Sequence, residues 1–368
     1  MSPIIGFFRH ASARGAEVLR GIQRARNLHE ASYRQLLIRF AELYVRRKYS
    51  IREIFYSDLL APRVTSEWLD RNLGKQRQFD LQSRLNPKAY WILTEDKNVF
   101  YRYCAGSGLT IPHFFGCIGV AGSDSPAALK MQLLRSAEHV LKHADVAELI
   151  VKPALGVYGR GVVALRRSNG YFVDTDGAQL SVQEICDRLA TTHSYTTFVV
   201  QERLRSHPEL ERLSGTGNLQ TIRMVTYVSR DGKPFIGCCQ LKIIGEDSLT
   251  DNYGDGRRGN MIADIPLAKG KLANVFQAGR DGMGRVLIDR HPRTGIPFRG
   301  FSIPFWDHAC RLVESAALAF LPLRTIGWDV AVTAEGAVLI EGNVTWDPAP
   351  EGEVGGEIIG AIMAEMRP

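Results

Sequence analysis

Two carboxylates near the C-terminus are spaced to meet a divalent cation. The stretch 328–343 (WDVAVTAEGAVLIEGN) alternates small and β-branched residues on two arms and reads as a β-hairpin. Ala334-Glu335-Gly336 suits a three-residue loop with Gly336 at the left-handed position. A Thr333–Ala337 pair carried outward sets Asp329 opposite Glu341. Cross-strand Cβ atoms there lie roughly 4.5–5.5 Å apart, and like charges so placed repel. Asn343, two residues beyond Glu341, projects from the same face. Val330, Val332, Val338 and Ile340 form the other face, which is predicted to be buried. The oxygens of Asp329, Glu341 and Asn343 suit Mg²⁺, with Mn²⁺ or Ca²⁺ as alternatives. The reading without a metal is two solvated acids on an exposed hairpin.

A second constellation is built to hold an anion. The strand 148–152 (ELIVK) ends in Lys152 and runs into the loop 153–161 (PALGVYGRG), and a further strand, 162–166, leaves it. Gly156, Gly159 and Gly161 let backbone N–H groups converge on an anion without Cβ interference. Walker and dinucleotide loops both open a helix, and here a strand follows, which excludes both. What is left is a flap over phosphates, or an ordinary glycine-bearing hairpin.

These groups need a scaffold of strands. A helix is expected from Asp96-Lys97 to 106–108, then a short strand over 111–115 and a second helix before residue 148. Strands follow at 198–204 (FVVQERL), 221–228 (TIRMVTYV) and 235–244 (FIGCCQLKII), the last two joined around Asp231-Gly232. The charged, glycine-rich run 251–260 (DNYGDGRRGN) has the composition of an active-site loop. Pro62, Gly74 and Pro87 break up residues 61–95, which read as a connection.

Taken in order, DK with its helix and GLTIP, VKP with the glycine flap, VVQERL, TIR, the DN-to-Gly loop, HPRTG and IGWD…LIEGN resemble the ATP-grasp superfamily. The similarity covers roughly residues 90 to 348, and the branch most resembled is the sugar-transfer-associated or α-L-glutamate-ligase-like one. The resemblance implies an α/β (α+β) fold of two α+β subdomains gripping ATP, a flap part over 96–200 and a larger part with the metal site over 201–368. It implies that Lys97 and Lys152 reach the α- and β-phosphates and that Gly156–Gly161 close over the β/γ-phosphates. Glu202 and Leu204 would serve adenine, and Glu209 the ribose, with Glu211 competing for that role. Asp329, Glu341 and Asn343 match the family's metal ligands, Arg223 and Lys242 its phosphate-touching cations, and Asn252 an Asn facing the γ-phosphate. Relatives often carry two adjacent glycines after that Asn, where this chain has Arg257-Arg258-Gly259-Asn260. Arg257 and Arg258 therefore either clamp a substrate carboxylate or sit solvated, and His291 either faces substrate or stabilises its turn. The implied reaction is ATP- and Mg²⁺-dependent joining of a small-molecule carboxylate to an amine through an acylphosphate. Kinase-like phosphoryl transfer, or a basic nucleotide-binding scaffold without turnover, are the alternatives.

At 368 residues, 45% hydrophobic and 23% charged, the chain has the composition of a globular protein of two or three subdomains. No apolar run approaches the ~20 residues that span a bilayer, and Ile4-Ile5-Gly6-Phe7-Phe8 is too short for a signal-peptide core, so a cytoplasmic setting is expected. The six cysteines have neither CxxC nor zinc spacing and are expected reduced and mostly buried, Cys238-Cys239 as packing. The net charge of +7 is concentrated in residues 1–60, where Tyr33, Leu36, Leu37, Phe40, Leu43 and Tyr44 recur at helical spacing among arginines. This basic amphipathic extension has three possible uses: packing on the body, docking peripherally on an anionic surface, or binding nucleic acid. No nucleic-acid motif accompanies the charge. Removal of residues 1–50 is accordingly expected to change localisation or partner binding more than ATP turnover.

Overall fold

The computed structural model describes residues 3–119, 126–156, 161–191, 196–246, 248–253, 259–279, 284–347 and 353–365. Two antiparallel sheets dominate it. The first contains β1 (Phe114–Gly119), β2 (Glu148–Pro153), β3 (Val163–Ser168), β4 (Tyr171–Val173), β5 (Gln179–Leu180) and β6 (Thr197–Glu202), in the order β1-β6-β2-β3-β4-β5. The second contains β7 (Thr221–Val228), β8 (Pro234–Ile243), β9 (Met261–Asp264), β10 (Val275–Ala278), β11 (Arg285–Leu287), β12 (Thr325–Thr333) and β13 (Gly336–Asn343), in the order β11-β10-β9-β8-β7-β12-β13. The strand expected at 111–115 begins instead at Phe114. Pro112 lacks an amide N–H to donate to a ladder, and pairing with β6 runs from Phe114 to Gly119 with a bulge between Phe114 and Gly116.

Each sheet has its own apolar core. Helices 126–143 and 182–191 cover the first sheet, burying Leu141, Ile185 and Leu189 against Leu149, Val151 and Val200. Helix 306–319 lies on the second sheet, where Ala309, Val313 and Ala316 meet Ile222, Leu241, Val330 and Leu339. On the opposite face, β7 presents Arg223, Val225 and Tyr227 by strand alternation. Helices 75–85 and 353–365 bury Val225 and Tyr227 beneath Leu81, Leu85, Ile358 and Ile362, which leaves the Arg223 end of that face open.

The N-terminal helices form a third cluster. Ser32 and Ser50 each close a capping box, with Gln35 and Glu53, at the start of helices 33–41 and 51–56. Ile22, Leu36, Leu43, Ile54, Leu60, Val64 and Leu69 then share one core, so the helical unit reaches past residue 60. Residues 61–95, expected as a connection, hold helices 66–71 and 75–85. Asn86 in this stretch is fully buried and ties the body together: its side chain accepts from Arg324 N and Thr325 N and donates to Thr325 O and Val344 O. Tyr56 reaches the second sheet and packs with Tyr253 and Ile262, the two phenols 2.6 Å apart.

Candidate active site

The hairpin of β12 and β13 does place Asp329 opposite Glu341, by a register that differs from the expected one. Thr333 pairs with Gly336, not Ala337, across the two-residue turn Ala334-Glu335. The register then shifts between Asp329 and Val330, and this bulge absorbs Ile340 and restores the carboxylate pair. The buried apolar face is accordingly Val330, Val332, Ala337 and Leu339, while Val338 pairs with Ala331 on the other side and Ile340 is half-buried. Gly336 has φ +136°, and a Cβ there would meet His308 Nδ1 at 2.7 Å.

Sheet order then extends the pair into a polar row. Asp329 faces Arg223 on β7, Arg223 faces Gln240 on β8, and Gln240 faces Asp264 on β9. Arg223 Nε donates to Asp329 Oδ1 at 2.8 Å and Nη2 to Oδ2 at 3.2 Å, and Lys242 Nζ donates to Oδ1 at 2.9 Å. Burial alone would raise the Asp329 pKa, but these two cations overturn that and hold the carboxyl far below the usual range. Gln240 Nε2 donates to Asp264 Oδ1 at 2.8 Å. Lys242 also reaches Thr221 Oγ1 at 3.2 Å, and Thr221 donates its backbone N–H and its hydroxyl to Asp251. Burial pushes the Asp251 carboxyl up despite Lys242 nearby.

Helix 97–106 and the first sheet contribute the remaining cations. Asp96 caps helix 97–106 by accepting from Asn98 N and Val99 N, which places Lys97 at the helix start with its side chain buried. Lys97 Nζ donates to Gly156 O at 2.8 Å and stands 3.7 Å from Glu341 Oε2, joining the loop after β2 to the hairpin of the second sheet. Lys152, also buried, donates to Tyr101 Oη at 2.8 Å. Tyr101 Oη in turn donates to Ile340 O at 2.9 Å. Desolvation first, and then the neighbouring Lys97, push the Lys152 ammonium down to about 7. Four cations, one from a helix and three from strands of the two sheets, thus gather around Asp329, Glu341 and Asp251.

The other expected residues fall as follows. Asn343 is half-buried and donates its amide to Gly327 O at 3.1 Å. Glu202 Oε1 accepts from His113 N at 2.7 Å beside the half-buried Leu204. Glu209 is exposed on a short helix and paired with Arg212 at 2.7 Å, whereas Glu211 is half-buried. The Asn252 carbonyl accepts from Asn260 Nδ2 at 2.9 Å. His291 is buried with both ring nitrogens used inside the fold, Nε2 towards Ile244 O at 3.0 Å and Nδ1 accepting from Arg293 N at 3.2 Å, which makes it the turn-stabilising histidine. Gly156 and Gly161 lie on either side of residues 157–160, which are outside the described residues, and Gly161 has φ +72°. Gly159, Arg257 and Arg258 lie outside the described residues. Sequence reasoning missed Tyr101, although its i+4 spacing from Lys97 on a helix put both on one face. It did not single out Asp251 within the loop 251–260, and it missed Gln240 and Asp264, for which no local signal exists.

An oxygen set of two carboxylates and one amide oxygen suits a Mg²⁺ ion that draws its other ligands from phosphate and water. Among the described residues, no group of three or more His, Cys, Asp or Glu side chains is arranged to hold a metal without such help.

Two antiparallel sheets, with lysines gathered beside an acidic hairpin between them, are the arrangement of the nucleotide-gripping α+β proteins known as ATP-grasp proteins. The sequence model described as sugar-transfer associated ATP-grasp matches residues 76–354, and the chain belongs to that family. No curated protein matches it. Among solved structures, D-cycloserine synthetase is similar at 13% identity over 79% of this chain and 80% of that one, with a TM-score of 0.42. D-Alanine-D-Alanine ligase from Helicobacter pylori is similar at 9% identity over 75% and 62%, with a TM-score of 0.43. N5-carboxyaminoimidazole ribonucleotide synthetase, in its ADP complex, is similar at 11% identity over 69% of this chain, with a TM-score of 0.39, and here the chain spans only 45% of the other's length. At these values the likenesses say nothing about activity.

Proposed function

We propose that the protein is an ATP- and Mg²⁺-dependent ligase that activates a small-molecule carboxylate as an acylphosphate and joins it to an amine. The observation that carries this reading is the convergence of Lys97 and Lys152 from one side, and Arg223 and Lys242 from the other, on the Asp329–Glu341 pair. Cations in excess of carboxylates in a partly desolvated cleft favour a polyphosphate, and one preorganised donor of this kind is worth ~3–4 kcal/mol in a transition state. Mg²⁺ held by Glu341, Asp329 and Asn343 would neutralise charge on the phosphate oxygens.

The residues then divide the work. Lys97 and Lys152 orient the phosphates, with Tyr101 holding Lys152 in place. Arg223 and Lys242 stabilise the transferring phosphoryl group, and the substrate carboxylate oxygen attacks its phosphorus as ADP leaves. The amine next attacks the acyl carbon and expels phosphate, which forms an amide or peptide-like bond. Closure of the loop 153–161 would keep water from the acylphosphate. Glu202, Leu204 and Glu209 are assigned to the nucleoside by family resemblance, and Asn252 to the γ-phosphate. The reading carries with it a cytoplasmic setting, in which the six cysteines, four of them buried, stay reduced. The test is ADP release from purified protein with pooled carboxylates and amines, followed by mass spectrometry of the products. A condensed product with stoichiometric ADP supports the ligase. A phosphorylated product that persists with amine present would reassign the protein as a kinase.

A further inference from the structure

We propose that the outer face of helix 33–41, with the turn that follows it, seats on the anionic headgroup surface of a lipid bilayer. This helix is apolar on two sides, and the fold uses only one. Leu36 and Leu43 are buried in the N-terminal core with Phe40 against them. Opposite, Leu37 is 50% exposed, Ile38 61% and Val45 58%, flanked by Tyr33 and Tyr44. Steps of four residues stack Tyr33, Leu37 and Ala41 into one ridge, and the π-helical turn 42–46 carries it on to Val45.

The charge around the ridge selects the occupant. Arg34, Arg46 and Lys48 are exposed and make no ion pair among the described residues. Arg26 lies 4.6 Å above the Tyr33 ring at its edge. Glu42 is turned inward onto Arg39 at 2.9 Å and Arg47 at 3.3 Å, and Arg47 also holds Asp70 at 2.7 Å, so both of these acids are already paired. A second copy docked symmetrically would set this positive rim against itself. A bilayer bearing acidic headgroups offers apolar depth and negative charge in one plane, and Tyr side chains favour that boundary. No helix among the described residues is long and apolar enough to cross a membrane, so contact through this face would be peripheral.

The test is sedimentation of the full-length protein with vesicles of phosphatidylcholine alone and of phosphatidylcholine with phosphatidylglycerol. We expect binding to the acidic vesicles only, weakening as salt rises. The double variant Leu37→Glu/Ile38→Glu should lose at least about tenfold in partitioning, since it removes burial and adds repulsion. Arg34→Glu/Arg46→Glu, which leaves the apolar ridge intact, should lose about fivefold or more per charge, and it carries the test should the first variant melt early. Absent binding, equal binding to both vesicle types, or binding unchanged in both variants would overturn the proposal. A concentration-dependent dimer without vesicle binding, lost in Leu37→Glu/Ile38→Glu, would do so too and would assign the face to a second copy.

Discussion

Replacing Lys152 with Met should stabilise the unliganded protein while weakening its hold on ATP. The ammonium is buried, and its pKa is pushed from 10.5 to about 7, chiefly by desolvation. That depression corresponds to a cost on the order of 4–5 kcal/mol for the charged form. Because the folded pKa lies below the unfolded one, the unfolded chain binds the extra proton between about pH 7 and 10.5. The stability of the wild type therefore rises with pH across that window, and the full cost is present below it. Met keeps the apolar stem and removes the charge, at the loss of one hydrogen bond to Tyr101 worth about 1 kcal/mol. The net expectation is a gain of about 2–3 kcal/mol at pH 7 and a flatter pH profile of stability. ATP affinity should fall about 10–100-fold, the worth of one hydrogen bond to a charged group. Wild type should also take up a proton on binding Mg-ATP at pH 8, because phosphate restores the charge on Lys152, and the variant should not. Thermal melts over pH 6 to 10 and calorimetry in buffers of different ionisation enthalpy read these quantities. A variant that melts lower at pH 7, with unchanged pH slope and unchanged proton uptake, would refute the argument.

Three further outcomes are expected. Glu341→Gln, which removes charge at nearly constant shape beside Lys97, should cut ATP turnover about 10²–10³-fold while the melting temperature holds; normal turnover in the folded variant would retire the metal assignment. Asn86→Ala should cost about 3–5 kcal/mol in denaturant titration, since four hydrogen bonds to buried backbone groups are lost at once. Deletion of residues 1–50 strips Ile22, Ala25, Leu36, Leu43 and Tyr49 from a core shared with Ile54 to Leu69, so it should lower the melting temperature and activity together; a truncated protein with wild-type melting and turnover would restore the separable extension suggested by its charge.

The sequence by itself determined the local features of this protein. Alternating apolar residues defined β7, β8 and β13 to within a residue and β12 apart from its first three residues, because side-chain periodicity follows directly from strand geometry. The helix start at Asp96-Lys97 was legible as well, and the order of motifs declared the family over most of the chain. The hairpin paired Asp329 with Glu341 as expected, yet the register beneath that pair was wrong by one residue, since a bulge is set by packing against neighbouring strands and helix 306–319. Only the tertiary structure decided the row Glu341–Asp329–Arg223–Gln240–Asp264, whose members come from five strands whose sheet order no local pattern specifies. The same holds for Asn86, a buried polar residue in a stretch that looks like a linker until the backbone groups it satisfies, more than two hundred residues away, are brought to it. Periodicity reports which face of an element is buried. What that face is buried against depends on contacts between segments far apart in sequence, and there the energetics of polar satisfaction and packing made the choice.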